Sequence, residues 1–431
     1  MTRPPVAARL AALRQRRAPD ADAVCDAVRD LVVVCSSSRS GSSLVGELLR
    51  RSPQLLTFSA EINPHVTIPT IGSTGCDVLG DPTPLAGTPS GLHVLRGELA
   101  ADLGSSTAEV DTAALADHVA WRLTMQWPDE EIDPGRVRGW VADVLAVRGD
   151  GALRDRAGFC LDLLRRVVAA HPGVNPYRYD IPDARVSEAF PQATVPAGPT
   201  AAPVVEMAPF VLPRPWRRAT AAEAATKPVV AVTPRNAYRV PLLAAAFPNA
   251  RVRIVHLTRN PAAAVNGLID GWRHRGFFSC RSEVPLEIAG YTDRFPAWGD
   301  RWWNYDVPPG WRDWVQRPLA EVCAFQWRAA QEATLDRVAR GRHDSTRLAF
   351  EDIVGAADRR WKALRGLCSW LGVDPSPVVG DDRLPVVMPT AAPRPRRWAD
   401  NADELATVLV DKATVDVAAE LGYSRDPAGW E

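Results

Sequence analysis

The segment Ser36-Ser-Ser-Arg-Ser-Gly-Ser-Ser43 concentrates more usable chemistry than any other stretch of the chain: small hydroxyl residues, one glycine and one cation at Arg39. It follows the apolar run Leu31–Cys35 and precedes an amphipathic helix start. In such a turn the backbone N–H groups of Ser40, Gly41, Ser42 and Ser43 would point inward with the positive end of a helix dipole behind them. An anion is stabilised there before any side chain contributes. A nucleotide triphosphatase loop needs lysine where this chain has Ser42, and an acidic strand end to complete a Mg²⁺ site. Neither is found, so a P-loop kinase or triphosphatase is disfavoured. A second cation, Arg259, ends the apolar run Val252–Thr258 and is followed by Asn260-Pro261 and a helical pattern to Trp272. Pro261 suits a first helical turn, and a residue at the C-terminal end of a strand faces the crevice where ligands of open α/β sheets bind.

These segments resemble the sulfotransferases that use 3′-phosphoadenosine 5′-phosphosulfate (PAPS), a family with bacterial, cytosolic and tyrosylprotein members. The serine-rich turn is similar to that family's 5′-phosphosulfate loop, and Arg259-Asn-Pro261 with its helix to the unit that grips the 3′-phosphate. There a helix serine eight residues after the arginine completes the grip; here Gly267 stands at that offset, beside Asn266. Three more segments follow in the family's order. Val230-Ala-Val-Thr-Pro-Arg-Asn-Ala-Tyr-Arg239 looks like its strand and Thr-Pro turn, with Val232 where lysine is common. Leu348–Gly355 looks like its late strand and acidic helix start, and Pro393-Arg-Pro-Arg-Arg-Trp398 like the C-terminal loop that closes over the nucleotide.

The resemblance implies a P-loop-like α/β parallel sheet flanked by helices, PAPS as co-substrate, no metal, and sulfuryl transfer to a hydroxyl or amine of a small or medium organic acceptor. Arg39 and the N–H groups of Gly41, Ser42 and Ser43 would then stabilise charge developing on the 5′-phosphate oxygen. A hydroxyl acceptor needs a base within hydrogen-bond reach. Glu61 is the candidate, because relatives carry a catalytic glutamate just past the loop helix in a similar setting, whose tail Val66-Thr-Ile-Pro69 partly reproduces. His65 is the second candidate, since an ordinary imidazole titrates near neutrality. Arg394, Arg396 and Arg397, or the Asn266 amide, are expected to replace the missing serine; the arginines are preferred because neighbouring helix positions point about 100° apart. A non-catalytic nucleotide-binding homologue is the alternative, favoured by Val232 and Gly267. His256 reads as a hydrogen-bonded core residue, and Glu351 and Asp352 as helix-capping acids.

The rest of the chain must hold these residues in place. Its 431 residues, 46% hydrophobic and 24% charged, suffice for one large α/β domain with insertions or for two domains. With zero formal net charge there is no global field to gather nucleic acid or an anionic membrane. The seven scattered cysteines form no Cys-x-x-Cys pair, which favours reduced thiols and a cytoplasmic setting. Only Lys227, Lys362 and Lys412 are lysines, so anion clamps must be built from arginine and backbone.

Residues 1–30 read as a basic helix and connector, and 31–431 as the catalytic domain. Within it, 66–228 forms a helical, Pro-rich insertion with helix patterns at Thr107–Trp127, Arg136–Val147 and Phe159–His171. It is expected to cap the acceptor site; a separately folding helical domain is the other possibility. A second insertion, 271–314, is rich in tryptophan, tyrosine and phenylalanine, suited equally to lining an apolar pocket and to plain packing.

Overall fold

The computed structural model describes residues 4–68, 76, 88–105, 110–149, 155–199, 205–380, 383–387 and 390–430. Its strands are β1 (Asp30–Cys35), β2 (Leu56–Phe58), β3 (Leu103–Ser105), β4 (Arg217–Arg218), β5 (Val229–Val232), β6 (Arg251–Thr258), β7 (Ser279–Arg281), β8 (Trp302–Asn304) and β9 (Asp344–Ala349). Seven of them form one sheet in the order β4-β3-β2-β5-β1-β6-β9, while β7 and β8 make a separate antiparallel ribbon. From β2 through β9 that sheet is parallel; β3 and β4 join antiparallel at one edge. The architecture is the expected mixed α/β sheet flanked by helices.

The apolar run at β1 has a simple cause. Leu31, Val33 and Cys35 enter one core with Phe58, Val229 and Ile254, whereas Val32 and Val34 enter the opposite core with Leu44, Val230 and Leu257. A strand covered on both faces has no polar side to show. Helix Asn236–Ala246 covers the first face through Val240 and Leu243. Helices Ser42–Leu49 and Ala357–Leu371 cover the second through Leu48 and Leu364.

The 66–228 region departs from expectation in one respect. It is not purely helical but contributes β3 and β4 to the sheet. Strands of three and two residues are too short to show alternation, and their register comes from the edge they join. The three helix patterns are present as Thr112–Gln126, Pro134–Arg148 and Arg156–Ala170. Asp111, Asp133 and Asp155 each accept backbone N–H groups at the start of these helices. Trp121, Val141 and Phe159 from them build a core that Leu10 and Leu13 of the N-terminal helix Val6–Arg17 complete.

The aromatic insertion divides between packing and lining. Trp272, Tyr291, Trp303 and Trp311 stack edge-to-face in a buried cluster, and beside it Gly271 leaves room for the Tyr305 ring, since a Cβ there would lie 1.9 Å from the Tyr305 hydroxyl. The Phe278 and Tyr305 rings, stacked with centroids 5.2 Å apart, face the main cavity instead. Among the scattered cysteines, Cys76 and Cys280 come together with Sγ atoms 2.8 Å apart, both buried. Among the described residues no helix is long and apolar enough to cross a membrane, and no group of three or more His, Cys, Asp or Glu residues could hold a metal ion.

Candidate active site

The C-terminal ends of the five parallel strands open into one cavity of about 740 Å³. Each strand end sends a residue there: Glu61 after β2, Arg39 after β1, Arg235 after β5, Arg259 after β6 and Glu351 after β9. Such a crevice is the general ligand position in open α/β folds.

The turn after β1 is tightly constrained. Arg39 and Gly41 adopt positive φ angles of 65° and 93°. A Cβ on Gly41 would lie 2.1 Å from the Phe350 ring, so only glycine fits beneath it. Asp306 anchors the turn from the far side by accepting the Ser38 N–H and hydroxyl, both at 2.9 Å. Ser40 does not face the cavity as expected. Its N–H donates to the Ser37 carbonyl at 3.3 Å and its hydroxyl meets that of Ser37 at 2.6 Å, so it braces the turn from inside. Gly41, Ser42 and Ser43 do line the cavity.

Arg39 and Arg259 converge. The Arg259 guanidinium donates to the Arg39 carbonyl at 2.7 Å and lies over the Phe350 ring; burial brings its pKa down to about 10. The Arg39 side chain crosses Gly267 and donates to the Thr390 hydroxyl at 3.1 Å. A Cβ on Gly267 would come within 3.3 Å of Arg39 Cβ and 3.9 Å of Arg259 Nη1, so the missing side chain makes room for Arg39. Asn266 also borders the cavity, but its carbonyl oxygen accepts from Asn401 at 2.7 Å. Arg394, Arg396 and Arg397 do fold over the cavity. Two of them are neutralised locally, Arg394 by Asp400 and Arg397 by Asp270, while Arg396 lies over Trp398.

Glu61 stands at the cavity floor. It accepts from the Asn63 amide at 2.9 Å and the Thr233 hydroxyl at 3.3 Å. Asn63 is itself held by the buried Arg239, which donates to its carbonyl at 2.6 Å. Burial pushes the Glu61 carboxyl up to about 7, against the opposing pull of Arg235 and the Thr233 hydrogen bond. Glu61 also borders a smaller cleft of about 80 Å³. The two cavities share Ser43, Glu61, Asn63, Phe278 and Val387, so this carboxyl lies where they meet.

His65 is elsewhere. Fully buried, it sits 3.1 Å from Asp102 and packs against Phe58 and Trp121 in the interior, away from both cavities. This corrects its candidacy as a base: a proton acceptor must reach the reacting group. Pro69, part of the motif quoted around Glu61, lies outside the described residues. Glu351 and Asp352 do lie in the first turn of the short helix Phe350–Val354, but Glu351 is engaged outside it. It accepts from the Asn260 N–H and amide at 2.9 and 3.0 Å and from the Tyr423 hydroxyl at 3.0 Å, fixing the start of the Pro261–Trp272 helix. Asp352 pairs with Arg359 at 2.6 Å. His256 is buried and hydrogen-bonded to Gln331 at 2.6 Å, as expected.

Arg235 received no role from the sequence, although it stands three residues after Val232 in the Thr-Pro turn. It is 4% exposed, lines the cavity, and donates through Nη2 to the Tyr305 carbonyl at 2.7 Å. Its Nη1 is buried without a protein partner. Of the two acids that act on it, Asp306 is engaged by Ser38 and Glu61 by Asn63 and Thr233; Arg39, Arg235 and Arg259 give the cavity its cationic groups.

No protein-family profile matches the chain, and no curated protein matches it in sequence. It is similar to two solved structures. One is the sulfotransferase domain from the Synechococcus PCC 7002 olefin synthase, at 13% identity and a TM-score of 0.36 over 92% of this chain and 96% of that one. The other is the sulfotransferase domain from the curacin biosynthetic pathway, at 11% identity and 0.34 over 92% of this chain and 99% of that one. At such identities the chemistry of a site is decided by its own residues.

Proposed function

We propose that this protein is a sulfotransferase that moves the sulfuryl group of PAPS to a hydroxyl or amine of a small organic acceptor by in-line displacement. The observation that carries the reading is the position of Glu61: a carboxyl held near neutrality between an arginine-lined cavity large enough for a nucleotide and a second cleft. Gly41, Ser42, Ser43 and Arg39 hold the 5′ end of the donor, and Arg259 with Arg39 holds its 3′-phosphate. Arg39 thereby stands in for the family's serine at Gly267 and makes the Asn266 amide unnecessary, with Arg396 closing from the C-terminal loop. Arg235 replaces the lysine absent at Val232 and meets the transferring group.

In the reaction the acceptor oxygen forms its bond to sulfur as the sulfur–oxygen bond to the 5′-phosphate breaks. The acceptor proton passes to the Glu61 carboxylate, and the electron pair leaves on the phosphate oxygen, where Arg39 and the turn N–H groups stabilise it. The positions at which family ligands are missing, Val232 and Gly267, are each flanked by an arginine, which favours an enzyme over a non-catalytic binder.

Calorimetry with the desulfated product, 3′-phosphoadenosine 5′-phosphate, and with adenosine 5′-phosphate tests the donor. The 3′-phosphate is expected to raise affinity about ten- to a hundredfold, and Arg259→Ala to abolish most of that gain. Equal affinity for the two nucleotides in the wild type would sink the donor assignment. Turnover with labelled PAPS then separates enzyme from binder.

A further inference from the structure

Beyond Glu61 the smaller cleft contains a charge arrangement that the transfer chemistry does not use. Glu47, on the helix that follows the serine-rich turn, accepts from Arg50 at 3.0 Å, Arg156 at 3.1 Å and Arg214 at 2.8 and 3.2 Å. One carboxylate faces three guanidinium groups. Asp180 acts on Arg156 and the buried Asp102 on Arg50 as further negative neighbours, while Arg50 and Arg214 share Glu47. Glu206 borders the same cleft but is committed to the Val211 N–H at 2.9 Å and the Gln126 amide at 3.1 Å.

The two sharing arginines are strongly desolvated, with side chains 10% and 12% exposed, and Arg214 Nε is buried without a partner. Like charges packed out of water repel strongly, and a site built this way gains most from a bound anion. The effect on Glu47 shows how strong the local field is: burial alone would raise its carboxyl, yet Arg214 and Arg50 hold it well below the usual carboxylate range. The cleft volume of about 80 Å³ suits a head group rather than a whole acceptor. Apolar walls at Met207, Leu212 and Phe278 lead from it toward Glu61.

Resting on the sulfotransferase reading, we infer that the acceptor is itself an anion, a hydroxyl compound whose carboxylate or phosphoryl group docks on Arg50, Arg156 and Arg214 while its hydroxyl reaches Glu61. The rest of the acceptor lies along Phe278 between these two points.

Three matched phenols test this: 4-hydroxyphenylacetate, (4-hydroxybenzyl)phosphonate and the neutral tyrosol. Binding to the full chain is measured by calorimetry with 3′-phosphoadenosine 5′-phosphate present, and kcat/KM with labelled PAPS. At least one anion is expected to exceed tyrosol about ten- to a hundredfold in both readouts, and whichever anion does so identifies the head group. Arg214→Gln and Arg156→Gln should collapse that ratio, and Glu47→Gln, which leaves the arginines less neutralised, should enlarge it. Because Arg214→Gln could fold poorly, the opposite shift in Glu47→Gln stands as an independent check. A wild-type ratio near one overturns the proposal, as does a ratio that none of the three variants moves. Failure of the nucleotide to bind removes the sulfotransferase reading instead, and the calorimetric ratio still decides whether the cleft selects anions.

Discussion

At the scale of single residues, Glu61 owes its chemistry to its surroundings. Burial raises it to about 7 while Asn63, Thr233 and Arg235 keep the ionised form within reach. A base must be deprotonated to act, so transfer should rise with pH through a limb centred near 7 and level off above it. Glu61→Gln keeps the shape and the Asn63 contact but cannot accept a proton. Its rate should fall on the order of a hundredfold or more with nucleotide affinity retained, and the limb near 7 should vanish from the pH–rate profile. A profile with the same limb in Glu61→Gln would assign the titration to another group. Arg39 shows the converse dependence. A Cβ at Gly267 would lie only 3.3 Å from Arg39 Cβ, so the start of that side chain needs a residue without one, and one position explains the residue type at another 228 positions away in the chain.

At the scale of elements, the turn between β1 and its helix is shaped by three neighbours: Asp306 holds Ser38, Phe350 covers Gly41, and Arg259 grips the Arg39 carbonyl. Gly41→Ala combines an unfavourable positive φ with a clash on Phe350. It should cost about 1–2 kcal/mol from the backbone alone, with more from the ring, and should weaken nucleotide binding in parallel. Phe350→Leu in the same chain relieves the clash but not the backbone cost, so it should restore part of the loss. Urea denaturation of the single and double variants reads both components, and wild-type stability in Gly41→Ala would refute the constrained turn.

At the scale of the whole molecule, the helices of region 66–228 are joined to the sheet by a buried polar network as well as by apolar contact. Asp102 receives the Ser59 hydroxyl at 2.5 Å, lies 3.1 Å from His65 and 3.3 Å from Arg122, and is fully buried. Arg122 reaches on to Glu206 at 3.6 Å, and Arg17 of the N-terminal helix donates to the Ala101 carbonyl at 2.9 Å. Burial would raise Asp102, but Arg122 and His65 hold it well below the usual range. A depressed carboxylate contributes stability that is fully present above its unfolded pKa of about 4 and is lost as pH falls through the folded value. Asp102→Ala leaves Arg122 buried without its main partner and should cost about 3–5 kcal/mol. Asp102→Asn should flatten the acid limb of stability against pH. Unchanged urea midpoints at pH 7 and pH 4 in both variants would show that the network does not tie these helices to the sheet.

The sequence by itself determined the parallel core and the position of the serine-rich turn, because β1, β5 and β6 are buried on both faces and the turn needs small residues next to glycine. It also marked Glu61, Arg259 and the arginine loop, since each lies within a few residues of a strand end or in a recognisable local motif. What tertiary structure decided depends on residues distant in the chain. The edge strands β3 and β4 are too short to announce themselves, and His65 looked reactive until Asp102 and Trp121 enclosed it. Arg235 stood in plain view in the Thr-Pro turn, but only folding left its Nη1 buried and unpartnered beside Glu61. Glu47, Arg50, Arg156 and Arg214 come from three separate segments and meet in one cleft. Local patterning follows from a residue's own neighbours in sequence, whereas charge, burial and reactivity are set by groups that only the folded chain brings together.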